Sequence, residues 1–349
     1  MIRREEHKDL SAMNTFRMGV SCACFVEYDS VKDLETLDFE SLPQPVMHIG
    51  GGSNLLFTGD FPGTVLHSAV KFVKYIDMGL DEVFMAVGAG VTFDEFCAKA
   101  CEAGYWGAEN LSLIPGEVGA AAVQNIGAYG VEVKDIISGV VCFDRQTGKK
   151  ITLRTPDCAY GYRDSLFKHA GGRYIVTSVL FHLTRKYSPK LEYKGVREAL
   201  GLSADEQPEG LTPMQVREAI IGVRRLKLPD PQDIGSAGSF FKNPVIPAIQ
   251  FAHIIDVARE LLGPSATVPH FILDGGMIKV PAAWLIEKSG LKGATRGGAA
   301  TYDKQPLVIV NASGSATPQD VLELENHIID TVRERFGVVL SPEVEHITE

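Results

Sequence analysis

Three consecutive glycines at positions 50–52 join two short apolar segments near the beginning of the chain. The segment 45–49, PVMHI, precedes them, and the segment 55–57, LLF, follows them after Ser53 and Asn54. The Rossmann fingerprint needs its glycines between a strand and a helix, and no helical pattern follows here. The pattern therefore excludes a Rossmann reading of this stretch. Its backbone N–H groups and small polar side chains fit either an anion-binding nest or an ordinary tight turn.

A second stretch of small residues lies at 107–130, GAENLSLIPGEVGAAAVQNIGAYG. Small side chains let a backbone approach a ligand closely. Together with the loop 50–54, the segments 116–120 and 125–130 suit a long ligand that carries two phosphates. Close packing of a buried helix rich in Gly and Ala is the alternative, and the composition does not decide between the two.

Helical patterns begin at Thr92, Thr212 and Thr317, each followed three residues later by Glu, Gln or Asp. In the first two, this spacing is the signature of a capping box. The first and last patterns end at Gly104 and Gly337, as expected for a glycine that closes a helix. Residues 136–184 alternate as strands, and the tail 338–349 also reads as a strand.

The six cysteines do not form a framework for disulfides or metals. Cys22 and Cys24 face the same side of a predicted strand. Cys97 and Cys101 lie on the apolar stripe of the predicted helix, which favours core packing. There is no CxxC or HExxH motif, and the nine histidines are scattered. We therefore expect no metal site.

The length of 349 residues predicts two or three domains. The net charge of −10 argues against nucleic acid or an anionic membrane as a partner. The first residues contain no apolar secretory segment, and no stretch approaches the roughly 18 apolar residues of a membrane span. We expect a cytoplasmic protein that acts as a monomer.

The segment 238–244, GSFFKNP, surrounds two phenylalanines with a hydroxyl, an amine and an amide. One interpretation is a capped strand end, in which Ser239 has a purely structural role. The other is that the Ser239 hydroxyl does chemistry in a dry pocket while Phe240 and Phe241 pack the loop.

Eight motifs occur in this order along the chain: NTFRMG, GGGSNLL, IPGEVGAAAVQNIGAYG, YGYRDSLFK, KLPDP, AGSFFKNP, AAWLIEKSGLKG and PEVEHI. Together they resemble the UDP-N-acetylenolpyruvoylglucosamine reductase (MurB) family, and the resemblance runs from about Asn14 to Glu343. Each motif alone is common, whereas the combination is specific. The loop that carries Tyr193 is similar to that of the longer subtype of the family.

The resemblance implies an α+β fold. Two subdomains, 1–70 and 71–218, would form an FAD-binding module of the vanillyl-alcohol-oxidase (PCMH) type. A third α+β domain, 219–337, would bind the substrate. The C-terminal strand, about 338–349, is expected to return to the first subdomain.

The resemblance also implies an FAD-dependent oxidoreductase of peptidoglycan precursor synthesis, and hence of cell-wall biogenesis, cell shape and cell division. The family reduces the enolpyruvyl ether of UDP-N-acetylglucosamine to UDP-N-acetylmuramate, with NADPH as co-substrate and hydride delivered from N5 of reduced FAD. We expect FAD to bind non-covalently, because no His or Cys lies within the loops 50–54 and 112–130 to form a covalent link.

Arg163, Ser239 and Glu343 match the three catalytic positions of the family. Hydride transfer to the methylene carbon leaves negative charge on the α-carbon and its carboxylate, which the guanidinium fork of Arg163 can meet. The Ser239 hydroxyl can donate a proton to the α-carbon, because a carbanionic enolate is a strong base. Glu343 can hold the enolate oxygen if burial keeps its own carboxyl protonated.

The remaining site residues are carried over from the matching motifs. The residues that match flavin-binding positions are Gly50, Gly51, Gly52, Ser53, Asn54, Ile114, Pro115, Gly116, Gly119, Ala120, Asn125, Gly127, Ala128, Tyr129 and Gly130. The residues that match positions for the nucleotide-sugar substrate are Tyr162, Tyr193, Lys227 and Asn243. Lys242 is a second candidate partner for phosphate.

Three residues depart from the family pattern. Glu117 stands where Thr or Ser is frequent, and we expect its carboxylate to face away from the diphosphate. Ala120 and Ala121 lack the hydroxyls of some relatives, which leaves that part of the flavin contact to backbone N–H groups.

Two other functions fit the sequence less well. An oxidase of the same FAD superfamily would not explain Arg163, Ser239 and Glu343 occurring together in their motifs. A non-catalytic module that binds nucleotide sugars would not need all three catalytic residue types.

Overall fold

The computed structural model of the chain describes residues 1–77, 79, 81–193, 195–203, 206 and 208–348. Tertiary contacts divide the chain into two units. The first unit contains Met1–Lys8, Ser21–Gly52 and Phe61–Leu226, and the second contains Asp9–Val20, Ser53–Asp60 and the chain from Lys227 onward. The division into an FAD module and a substrate domain at residues 218 and 337 stays a prediction.

The strands and helices are numbered along the chain. The strands are β1 (Arg3–Asp9), β2 (Ser21–Tyr28), β3 (Val46–Ile49), β4 (Leu55–Phe57), β5 (Phe61–Ser68), β6 (Val73–Asp77), β7 (Glu82–Gly88), β8 (Gly127–Ala128), β9 (Val131–Glu132), β10 (Ile137–Asp144), β11 (Lys149–Arg154), β12 (Tyr174–Thr184), β13 (Gly235–Ser239), β14 (Val245–Pro247), β15 (Phe271–Ile272), β16 (Met277–Lys279), β17 (Thr295–Arg296), β18 (Ala299–Tyr302), β19 (Gln305–Asn311) and β20 (Glu345–Ile347). The α-helices are α1 (Val31–Thr36), α2 (Phe93–Glu102), α3 (Val118–Gln124), α4 (Leu166–His169), α5 (Val196–Ala199), α6 (Pro213–Lys227), α7 (Ala248–Leu262), α8 (Ala282–Lys288) and α9 (Pro318–Phe336).

The first unit is built on two sheets. The four-stranded sheet has the order β1-β2-β5-β3, in which β5 runs parallel to both β2 and β3. The five-stranded sheet has the order β11-β10-β12-β7-β6 and is antiparallel throughout the pairs that join β11 to β6. The predicted strand–loop–strand around the three glycines is confirmed, because β3 leads into β4 and β5 with no helix between them.

The helix α2 covers the core of the five-stranded sheet. Its apolar stripe is buried, and the Phe96 ring stacks on Phe181 of β12 with centroids 3.9 Å apart. Cys97 and Cys101 are buried on this stripe, and Cys22 and Cys24 are buried on β2, as predicted. Burial raises the pKa of the Cys101 thiol to about 12, which keeps it an inert core residue.

The second unit combines a four-stranded sheet, β13-β19-β18-β17, with a three-stranded sheet, β14-β16-β15. The strand β20 lies parallel to β4, so the C-terminal segment pairs with residues that follow the glycine loop. Of the predicted tail strand, Glu345–Ile347 forms a strand, and Glu349 lies outside the described residues.

Of the two predicted capping boxes, the one before α6 forms and the one before α2 does not, and the helix predicted to begin at Thr317 also starts with a capping box. In α9 the Thr317 Oγ1 accepts from the Asp320 N–H at 3.2 Å, and Gly337 ends the helix with φ of 66°. At α6 the Thr212 Oγ1 accepts from the Gln215 N–H at 3.2 Å. At α2 the capping-box prediction is wrong, because Thr92 makes no side-chain cap bond and its backbone bridges to Glu117 instead. No helix among the described residues is both long and apolar enough to cross a membrane.

Candidate active site

The glycine loop at 50–52 lies directly against the turn that precedes α3. A Cβ atom added at Gly50 would come within 2.9 Å of the Ala120 Cβ, and one at Gly51 would lie 3.5 Å from the Gly116 Cα. Gly52 has φ of 60°, a conformation that favours glycine. Glycine at these positions therefore lets the two predicted flavin loops pack against each other as one backbone surface, which we call the glycine cradle. Such a cradle fits the close approach of a dinucleotide such as FAD.

The beginning of α3 packs tightly against the end of β7. The Val118 N–H donates to Val91 O at 2.9 Å, and the Gly119 N–H donates to Ala89 O at 3.0 Å. A Cβ at Gly119 would lie 2.9 Å from the Ala89 Cβ, so this glycine permits the packing. The Ala121 N–H donates to Glu117 O at 2.9 Å. These three N–H groups are thus used within the protein, whereas the sequence had suggested that Ala121 offers its own to the flavin.

Glu117 lies beside this cradle and is engaged by a histidine. Its Oε1 is 3.0 Å from His67 Nε2, and His67 Nδ1 is 3.0 Å from Glu27 Oε2. Burial by itself lowers the pKa of His67, but the hydrogen bonds and charges of Glu117 and Glu27 outweigh it, so the pKa lies above its ordinary value. No local sequence pattern predicts this cluster, because Glu27 and Glu117 are 40 and 50 residues away from His67.

Asn125 ties the second flavin loop to the turn that carries Arg163. Its side chain is buried, and Nδ2 donates to Gly161 O at 2.7 Å and to Glu132 Oε2 at 3.0 Å. The Arg163 guanidinium in turn donates to Asn125 O at 3.3 Å and to Gly127 O at 2.6 Å. Both residues have positive φ, 45° and 55°. The loop predicted to bind flavin therefore also fixes the position of the predicted catalytic arginine.

Aromatic side chains extend the same face of the first unit. The Tyr129 and Tyr193 rings meet edge to face with centroids 5.2 Å apart, and Tyr193 is 43% exposed. The Arg163 guanidinium lies 5.4 Å from the centroid of the Tyr162 ring. Tyr193, predicted to bind substrate, thus contacts a residue of the predicted flavin loop, and Tyr162, also predicted to bind substrate, contacts the predicted catalytic arginine.

Arg224 of α6 was not predicted to lie near the site, but its side chain lies beside Tyr129 of the predicted flavin loop. Burial lowers the pKa of its guanidinium, and Tyr129 and Asp94 oppose that shift. The only signal in the sequence was a basic pair at the end of a helix pattern, which is common at helix ends.

In the second unit, Ser239 ends β13 on an anchored loop. Phe240 and Phe241 are 0% and 1% exposed, which confirms that they pack the loop, and Ser239 itself is half-buried. The Glu343 N–H donates to Phe240 O at 2.8 Å, and Phe241 bridges to Pro342. The structure thus brings the backbones of Ser239 and Glu343 together within this unit.

Asn54, which follows the three glycines in the sequence, also helps to hold the segment of Glu343 in place. Its Nδ2 donates to Glu343 O at 3.1 Å, and its carbonyl accepts from the Glu345 N–H at 3.0 Å. Lys227 is exposed at the end of α6, and Lys242 is partly buried next to the loop. The Asn243 Oδ1 accepts from the Ala282 N–H at 2.9 Å and so caps α8.

Two family models match this chain. Residues 230–347 match the C-terminal domain of UDP-N-acetylenolpyruvoylglucosamine reductase, and residues 23–154 match an FAD-binding domain. The predicted α+β chain with an FAD-binding module is thereby confirmed.

Similar proteins cover nearly the whole chain. A UDP-N-acetylenolpyruvoylglucosamine reductase of Bacteroides fragilis is 43% identical over 345 residues, which covers 98% of this chain and 100% of the relative. One of Chromobacterium violaceum is 43% identical over 340 residues and 96% of each chain. The crystal structure of the enzyme from Thermus caldophilus is 25% identical, with a TM-score of 0.67 over 99% of this chain and 98% of that one.

Proposed function

This chain belongs to the UDP-N-acetylenolpyruvoylglucosamine reductase family, and on that premise we propose that Arg163, Ser239 and Glu343 carry out the family's reaction. The protein is an FAD-dependent oxidoreductase of peptidoglycan precursor synthesis. It uses NADPH to reduce the enolpyruvyl ether of UDP-N-acetylglucosamine. A monomeric state and a cytoplasmic location are further parts of the proposal.

FAD, when bound, takes hydride from NADPH and supplies it to the methylene carbon of the enolpyruvyl group. The residues that would hold it lie in the backbone cradle formed by loop 50–52 and segment 116–120, with segment 125–130 beside it. The small residues of both loops support this assignment, because a Cβ at Gly50 would lie only 2.9 Å from the Ala120 Cβ and would push the two loops apart.

Arg163 binds the carboxylate of the enolpyruvyl group and stabilises the charge that develops there. The carbonyls of Asn125 and Gly127 hold its guanidinium in place before substrate arrives. Because the donors are already oriented, little reorganisation is needed as the charge forms.

The observation that carries the proposal is the anchoring of Ser239 next to Glu343. Ser239 donates a proton to the α-carbon of the substrate, and Glu343, with its carboxyl protonated, donates a hydrogen bond to the enolate oxygen. The bond from Glu343 N–H to Phe240 O, at 2.8 Å, fixes the two residues relative to each other. A general acid requires such fixed geometry more than it requires a strong acidity.

Tyr162, Tyr193, Lys227 and Asn243 bind the nucleotide-sugar part of the substrate. Lys227 is an exposed cation on a chain of net charge −10, which suits contact with the diphosphate. The Asn243 Oδ1 caps α8, so its amide nitrogen is the group assigned to the substrate.

The purified protein provides the test. We expect a yellow protein that NADPH bleaches and that the enolpyruvyl substrate recolours, with all flavin released by acid precipitation. An oxidase of the same superfamily would recover its colour with oxygen but not with the substrate, and a binding module would not be bleached. Either result would contradict the proposed reaction.

A further inference from the structure

Both ring nitrogens of His67 face a carboxylate. Nδ1 lies 3.0 Å from Glu27 Oε2, and Nε2 lies 3.0 Å from Glu117 Oε1. A neutral imidazole has one N–H, and an ionised carboxylate can only accept hydrogen bonds. The two contacts can therefore both be hydrogen bonds only if the three residues share one additional proton.

The cluster is enclosed by the sheet and by the turn before α3. The side chains of His67, Glu27 and Glu117 are 10%, 17% and 12% exposed. The Phe25 ring stacks on His67 with centroids 6.1 Å apart, and Arg3 of β1 forms an ion pair with Glu27. With the additional proton the two glutamates are balanced by two cations, and without it one negative charge is uncompensated. Among the described residues, His48 of β3 and Tyr28 of β2 also interact electrostatically with the cluster, and the Lys8 Nζ lies 5.6 Å from the centroid of the Phe25 ring.

The cluster reaches the glycine cradle through Glu117. The Glu117 Oε2 would lie 3.4 Å from a Cβ atom built on Gly50, and its Cβ would lie 3.5 Å from the same atom. The charge of the cluster therefore changes the electrostatic potential at the place where the backbones of the two loops meet.

We propose that His67 holds a proton between Glu27 and Glu117 and thereby allows an acidic side chain to border the binding loop for the FAD diphosphate. His67 is a positioning residue: it binds the carboxylate of Glu117 and neutralises it. The proposal rests on the assignment of FAD to this cradle. Its consequence is that FAD binding and protonation of the cluster favour each other.

The sign of the pH dependence follows from this linkage. The pKa of His67 is raised by its carboxylate partners, so the proton is present at low pH and is lost as the pH rises through that value. A nearby diphosphate favours the protonated cluster further. The FAD affinity of the apoprotein is therefore expected to fall with increasing pH, by at most about tenfold per pH unit, because one proton is involved.

The experiment is a titration of the apoprotein with FAD, followed by quenching of flavin fluorescence between pH 6 and pH 9. Glu117→Gln removes the charge that borders the cradle, so its affinity should equal or exceed that of the wild type, with a weaker pH dependence because only the His67–Glu27 pair remains. His67→Gln leaves Glu117 ionised, and the affinity should fall by about tenfold near neutral pH. The double variant His67→Gln/Glu117→Gln should regain the affinity of Glu117→Gln.

A matched control comes from an exposed His–Glu pair in the same unit. His182→Gln breaks the pair with Glu82 and should leave both the affinity and its pH profile unchanged. Thermal unfolding of each apoprotein checks the fold. If His67→Gln does not fold, the nearly isosteric Glu117→Gln is sufficient. Its FAD affinity should depend less on pH than that of the wild type.

The outcomes separate the two levels of the proposal. An unchanged pH profile in Glu117→Gln, or wild-type affinity in His67→Gln at neutral pH, would overturn the role of the cluster while leaving the proposed enzyme intact. A wild-type apoprotein that binds no FAD at any pH would instead overturn the assigned function.

Discussion

The two regions that hold the proposed catalytic residues are anchored in different ways. In the first unit, Arg163 is held through side chains: Asn125 binds Gly161 O at 2.7 Å, and Arg163 binds Gly127 O at 2.6 Å. In the second unit, the segment of Ser239 is held by backbone bonds and by two buried phenylalanines. Side chains in the first region thus combine chemistry with structure, whereas the hydroxyl of Ser239 does not take part in its own anchor. A substitution should therefore remove the catalytic role without the structural role only in the second region.

Ser239→Ala is the sharpest use of this difference and should have the largest effect. A general acid typically accelerates a reaction by about 10²–10⁴-fold. The rate at which substrate reoxidises the reduced enzyme should therefore fall by at least about 10²-fold. Flavin binding, flavin reduction by NADPH and stability should stay close to wild type, because the backbone anchor is kept. Single-turnover reoxidation measures the effect.

Ser239→Cys is the control, because a thiol also donates a proton and should restore part of the rate. If Ser239 were only a strand-end cap, Ser239→Ala would turn over normally and lose about 1 kcal/mol of stability. A near-wild-type rate of reoxidation would rule out the general acid.

The first region should respond in the opposite way, through stability. Asn125→Gly keeps the left-handed backbone but removes the side-chain bonds to Gly161, Glu132 and the Lys134 N–H. Three hydrogen bonds at about 1 kcal/mol each predict a loss of about 2–4 kcal/mol in the free energy of unfolding. Urea denaturation measures it, and Ser239→Ala is the comparison. Equal stability of the two variants would show that the two regions do not differ as described.

Lys227→Ala tests a residue that takes part in neither anchor. Lys227 is exposed at the end of α6, so its loss should leave the fold and the NADPH half-reaction unchanged. A charge-assisted contact with the diphosphate is worth about 1.5 kcal/mol, so KM for the nucleotide-sugar substrate should rise about tenfold. The exposed Lys149 on β11 supplies the control, since Lys149→Ala should not change KM. An equal loss in flavin reduction would contradict a role confined to substrate binding.

Local sequence patterns predicted the features that depend on neighbours along the chain. The two buried phenylalanines, the capping box at Thr212 and the buried stripe with Cys97 and Cys101 all follow from periodicity or turn chemistry. The strand on each side of the three glycines follows in the same way. Such features need only contacts within about one turn or one strand.

The contacts that position the site join distant residues and could not be predicted in this way. Asn54 and Glu343 are 289 residues apart, and Asn125 and Gly161, which are joined by a hydrogen bond of 2.7 Å, are 36 apart. The capping box at Thr92 fails for the same reason, because a bridge to Glu117 competes with the local bond. Tertiary pairing decided these positions, and a local pattern contains no information about it.

Asn54→Ala should have the smallest effect, because it removes one side-chain bond from a region that backbone pairing holds. The bond from Asn54 Nδ2 to Glu343 O, at 3.1 Å, is lost, whereas the bond from the Glu345 N–H to Asn54 O is kept. One neutral hydrogen bond contributes about 0.5–1.5 kcal/mol, so reoxidation by substrate should slow by roughly two- to tenfold through looser placement of Glu343. FAD affinity should hardly change, since any flavin contact through the backbone of Asn54 remains. A large loss of FAD affinity with normal reoxidation would instead assign the Asn54 side chain to the cofactor and not to Glu343.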